Sequence, residues 1–131
     1  MIRMAFYITL LAVFTFCSPA QAQENQFDIE RMVVAYDVEE REPVEIAETF
    51  PAGIDRVYCF IEARNIQQDT EVTFVWYHGD ERAASVTVAL GEGPRWRTFT
   101  YVTIGDRSGD WRVDLHDAMD NIVQSVNFSV E

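Results

Sequence analysis

Apolar and polar positions alternate with a period of two through most of this chain, and no window of eleven or more residues holds a helical stripe. The period predicts strands over residues 32–36, 56–63, 71–77, 84–90, 95–102, 110–116 and 122–130. Residues 44–48 read as a short edge strand, because Glu45 and Glu48 would guard an open edge. Turns fall at Pro51-Ala52-Gly53, at His78-Gly79-Asp80, at 91–94 and at the glycine-bounded loop 105–109, with a polar loop at 65–69. Phase then gives the expected core. Val57, Cys59, Ile61 and Ala63 share one face, Val72, Phe74 and Trp76 the next, and Ala84, Val86, Val88 and Leu90 a third. Trp111, Val113 and Leu115, and finally Ile122, Val126, Phe128 and Val130, complete it. Strand 95–102 is ambiguous: either Arg97, Phe99 and Tyr101 face inward, or Trp96 and Thr98 do.

About seven short strands with regular turn signals are the pattern of an all-β antiparallel sandwich. Cys59 and Trp76 lie seventeen residues apart, both in the apolar phase. A strand-B cysteine and a strand-C tryptophan hold similar places in immunoglobulin-like sandwiches, so that is the expected architecture. The second cysteine is missing, and Val113 or Leu115 would fill its space.

The first residues break the alternation. Arg3 supplies a positive start, residues 4–16 are apolar except for Thr9 and Thr15, Pro19 follows, and Ala20-Gln21-Ala22 offers a cleavage site. This is a secretory signal over 1–22, and the apolar run is too short for a membrane anchor. Acylation at Cys17 is disfavoured by Phe16, since that chemistry wants a small residue before the cysteine. The expected organisation is a signal peptide 1–22, a flexible lead-in 23–30 and one sandwich domain 31–131, exported to the periplasm or beyond. Cleavage leaves Cys59 as the only thiol, in a run that reads as buried strand, so an inert core cysteine is expected.

Charge narrows the partners. The chain carries 10 Lys+Arg against 22 Asp+Glu and has no lysine. Removing Arg3 with the signal leaves a mature net charge of −13. Nucleic acid binding through phosphates needs a positive face, and an anionic bilayer would repel this domain. Neither partner is expected, nor stable membrane insertion after cleavage.

A set of ordered motifs runs from Arg41-Glu42-Pro43 through Val57-Tyr58-Cys59-Phe60, Trp76-Tyr77, Trp96-Arg97-Thr98 and Gly109-Asp110-Trp111-Arg112-Val113 to an acidic turn, 117–121, and Phe128-Ser129-Val130. In these the chain resembles the bacterial domain-of-unknown-function family 2914. The resemblance implies an extracytoplasmic sandwich and brings no reaction with it. Where that family often has a histidine two residues before the first tryptophan, this chain has Phe74.

No catalytic set emerges. His78 sits in a hairpin turn and His116 on an outward phase, with no nucleophile motif or phosphate loop nearby. Neither an enzyme, a cofactor nor a metal is expected. Asp114, Asp117, Asp120 and Asn121 crowd one turn, where calcium and ordinary turn chemistry are the alternatives. The most informative cluster is Arg95, Arg97, Arg107 and Arg112 within eighteen residues, interleaved with Trp96, Phe99, Tyr101 and Trp111. The candidate binding residues are Arg95, Trp96, Arg97, Tyr101 and Arg112. They suit contact with an envelope protein or, alternatively, a glycan or anionic small molecule. The competing account pairs these arginines internally, with the glutamates of residues 39–48 or over Trp96 and Trp111.

Overall fold

The computed structural model describes residues 26–131. The expected signal peptide, 1–22, and the first part of the expected lead-in lie outside the described residues. Nine strands follow among the described residues: β1 (Asp28–Glu39), β2 (Glu42–Ile46), β3 (Thr49–Phe50), β4 (Arg56–Ile66), β5 (Thr70–His78), β6 (Glu81–Leu90), β7 (Gly93–Thr103), β8 (Gly109–His116) and β9 (Ile122–Val130). They form two sheets, in the orders β2-β1-β4-β7 and β3-β9-β8-β5-β6. Every pairing is antiparallel except β3 with β9.

The alternating phases face each other across the gap between the sheets. Val57, Cys59, Ile61 and Ala63 of β4 meet Val72, Phe74 and Trp76 of β5 and Trp111, Val113 and Leu115 of β8, all buried. Burying each large apolar side chain stabilises the fold by roughly 1.5–3 kcal/mol. Cys59 and Trp76 lie on opposite sheets and are fully buried, as in an immunoglobulin-like sandwich. Burial pushes the Cys59 thiol well above its ordinary range.

The differences from the periodic pattern have local causes. β1 begins at Asp28 rather than residue 32, and Phe27 before it is already buried in the core. β3 has only two residues, too few to show a period. It crosses to the other sheet and pairs Thr49 with Ser129 and Phe50 with Val130. Phe50 then sits between Tyr36, 4.9 Å away, and Phe128, 5.8 Å away. Ile122, expected inside, is 59% exposed. Leu115 pairs with Gln124 but His116 with Ile122, so β9 carries an extra residue there. That bulge reverses the phase, and Val123 packs on the core instead.

The β1–β2 hairpin does not run straight. Glu39 pairs with Glu42, eight residues beyond Arg31. In a flat strand that distance would be about 26 Å. Yet Glu42 accepts hydrogen bonds from Arg31 at 3.1 Å and from Arg97. The hairpin therefore arches back over the outer face of its sheet, through positive φ at Glu40, Arg41 and Glu45.

Candidate functional site

Register resolves the ambiguity of β7. Ile61 lies opposite Thr98, Cys59 opposite Thr100 and Val57 opposite Val102, so those β7 residues point to the core. Arg95, Arg97, Phe99 and Tyr101 consequently form the outer row, beside Arg64, Glu62, Phe60 and Tyr58 of β4. The outer face of this sheet thus carries an aromatic patch at one end and a charged band at the other.

In the patch, the Tyr58 ring stands 5.9 Å from Phe99 and 5.5 Å from Tyr101, inclined by 47° and 48°. Phe99 and Tyr101 are 39% and 46% exposed, large for rings on a sheet. Arg56 lies 4.6 Å over the Tyr101 ring. Its hydrogen bond with the Tyr58 hydroxyl and its closeness to Tyr101 hold its pKa above the usual arginine value.

The charged band is a row of Arg31, Glu62 and Arg97 across β1, β4 and β7. Glu42 reaches into it from the arched hairpin and bonds both guanidiniums. Its carboxyl is held below the ordinary value chiefly by Arg31, against partial desolvation, with Arg97 adding to the effect. Arg31 in turn covers the Phe60 ring at 4.9 Å. Glu62 is nearly buried and accepts from Arg64 at 3.0 Å. Among the described residues Arg95 has no carboxylate within ion-pair distance.

The five candidate residues do not share one surface. Arg95, Arg97 and Tyr101 lie on the outer face of β7. Trp96 points the other way, at the open margin of the sandwich, 41% exposed. A Cβ at Gly91 would lie 2.4 Å from the Trp96 ring, so the ring rests on bare backbone there. Arg112 belongs to a different surface altogether, and its grouping with the others is corrected: β8 is in the other sheet. There Arg112 stacks 4.5 Å over Tyr77 and bonds the buried Asp114, which also accepts from Ser125 at 2.6 Å. Proximity in sequence failed here because the chain changes sheets between β7 and β8. Phe99 and Tyr58 complete the patch that β7 begins. Their signal was present, since Phe99 shares the phase of Arg97 and Tyr101, but the inward alternative masked it.

The remaining candidates for chemistry are held by structural bonds. His78 bonds the Ser108 carbonyl at 2.7 Å and stacks 4.8 Å from Trp111. Trp111 donates to the Arg107 carbonyl at 2.9 Å, lies under the Arg107 guanidinium at 5.0 Å and stacks on Phe128. His116 bonds Asp120 at 2.9 Å. Asp117 accepts from the amides of Met119 and Asn121, at 3.0 and 2.9 Å, as an Asx turn does. Among the described residues no group of three or more His, Cys, Asp and Glu is gathered as a metal site would need. Among them, too, no helix is long and apolar enough to cross a membrane.

Fold and surface together define a β-sandwich domain of immunoglobulin-like topology, with a partly aromatic, partly charged sheet face. Residues 69–130 match the model of the family described as Protein of unknown function (DUF2914), and this match supports the resemblance drawn from the motifs. The match takes in β5 to β9, with Trp76-Tyr77, Trp96-Arg97-Thr98, Gly109–Val113 and Phe128-Ser129-Val130; Arg41-Glu42-Pro43 and Val57–Phe60 fall before it. A search of curated proteins found no match.

Proposed function

We propose that this protein is an exported, non-enzymatic interaction module of the bacterial cell envelope that contacts another protein through the outer face of β4 and β7. The observation that carries this reading is the pair of exposed rings, Phe99 and Tyr101, beside Tyr58 and next to the unpaired Arg95. Tyrosine and arginine are among the residue types that most often dominate protein contacts, and here the exposed rings adjoin one another as a patch rather than standing singly. Both histidines are engaged in structural hydrogen bonds, which supports a non-enzymatic role. Export rests on the character of residues 1–22.

A glycan or anionic small molecule is the alternative, and the half-exposed Trp96 favours it most. Against it, the three rings are inclined to one another, Arg56 covers Tyr101, and Glu42 already takes Arg97. Affinity capture from native envelopes tests the first reading. Phe99→Ala, Tyr101→Ala and Arg95→Ala should each lose partners that the folded wild type retains. If all three recover the same partners, the face is wrong. A saturable tryptophan fluorescence response to cell-wall glycan fragments would favour the alternative instead.

A further inference from the structure

The sandwich is closed on one side and open on the other. On the closed side β3 crosses between the sheets. On the open side run β6 and β7, each the last strand of its sheet. A groove of about 430 Å³ lies between them, lined by Val86 and Val88 on one wall and by Phe99, Thr100 and Tyr101 on the other. Three consecutive strand residues line a wall only where that wall is the strand's backbone edge, because alternate side chains point apart.

That edge is unusually well suited to pairing. β7 has eleven residues, carries its proline only at the second position (Pro94) and pairs with β4 without a register break, so beyond Pro94 its other edge is long and regular. Natural proteins usually shorten, bulge or cover such edges. The edge strand β2 shows the usual devices, with five residues, Pro43 and a positive φ at Glu45. On β6, Ala84, Val86 and Val88 hold the inward phase yet are only half-buried, since nothing closes the gap in front of them.

A second observation is independent of shape. Thr100 is 6% exposed, lines the groove, and its hydroxyl has no hydrogen-bond partner. Withdrawing a hydroxyl from water without replacing its bond is costly, so a partner group is called for. The same sheet architecture shows how a strand supplies one: Thr73 and Thr87 face each other across β5 and β6 with their hydroxyls 2.8 Å apart. Charge gives the third constraint. Residues 81–103 carry Arg82, Arg95 and Arg97 against Glu81 and Glu92, and with Arg97 held by Glu42 the positive group left without a carboxylate at this edge, among the described residues, is Arg95.

We infer that the open side is a strand-docking groove in which an extended, acidic segment of another protein adds to β7 as the fifth strand of its sheet. The segment's inward side chains are small or β-branched and cover Val86 and Val88, with a serine or threonine opposite Thr100. Its outward acidic side chain lies beside Arg95, the arginine of the outer row that no carboxylate among the described residues holds, Arg97 being bonded to Glu42. A second copy of this chain is the poorer occupant, because it would set like charges against one another. The inference rests on the interaction-module reading and adds the partner's chemistry to it.

The probe is a synthetic peptide of about nine residues alternating Val or Thr with Glu. Its controls are a twin with Lys for Glu and a twin with a central proline. Fluorescence anisotropy with the whole protein should show saturable binding of the acidic peptide, weaker binding of the Lys twin and none of the proline twin. Arg95→Ala should weaken it about threefold, and Val88→Lys should abolish it while circular dichroism stays unchanged. Thr100→Val separates this role from a merely structural one: it should raise the melting temperature yet weaken the peptide. Hydrogen exchange should slow along β7 when the peptide is bound.

No saturation at millimolar peptide, binding indifferent to Val88→Lys, or self-association through β7 that the peptide does not displace would each overturn the inference. If the peptides fail while Tyr101→Ala still loses native partners, the module reading stands and strand docking falls. If both fail, both fall.

Discussion

Trp76 and Trp111 are the two largest side chains in the core, and their indole nitrogens have different fates. Trp111 donates to the Arg107 carbonyl at 2.9 Å, whereas the buried Trp76 nitrogen has no acceptor. Replacing either by Phe removes similar volume and leaves a similar void. The difference between the two variants therefore reports the hydrogen bond together with the Arg107 and His78 contacts that Trp111 alone makes. Trp111→Phe also strands the carbonyl, while Trp76→Phe removes a donor that was costing stability. Urea unfolding should show Trp111→Phe less stable than Trp76→Phe by about 1–2 kcal/mol. Equal losses would mean that packing alone sets both values.

At the scale of strands, period two marked Val57, Cys59, Ile61 and Ala63 as one face because a strand buried on one side leaves no other pattern. The same signal cannot say which sheet a strand joins, which is why closeness in sequence alone puts Arg112 with Arg95. It was also blind to β3, two residues long, and to the bulge that turns Ile122 outward. The arched hairpin left one trace, the excess of glutamate over residues 39–48, and internal pairing with late arginines was among the alternatives. Glu42 realises it, with Arg31 and Arg97. A carboxyl whose pKa is lowered on folding contributes fully above its ordinary value, here 4.5, and loses that contribution as pH falls through the lowered one. The wild type should therefore melt higher than Glu42→Gln at neutral pH, and the gap should shrink on acidification below that value. A gap that is constant with pH would show that Glu42 acts through shape rather than charge.

The whole molecule sets two electrostatic effects against each other, and salt separates them. Ion pairs with arginine among the described residues engage Glu42, Asp55, Glu62 and Asp114, a minority of the chain's 22 acidic groups. The rest contribute mutual repulsion at a net charge of −12. Sodium chloride screens both, with a Debye length of about 10 Å at 0.1 M. Exposed ion pairs contribute about 1 kcal/mol at most, so relief of repulsion wins. The melting temperature should rise between low salt and roughly 0.3 M sodium chloride. At the open side the sign reverses, because Arg95, which no carboxylate among the described residues holds, would attract an acidic strand that salt screens from it. The same titration should therefore stabilise the fold while weakening the acidic peptide. Two curves moving in the same direction would show that the charge of Arg95 does not govern docking, whatever holds the partner there.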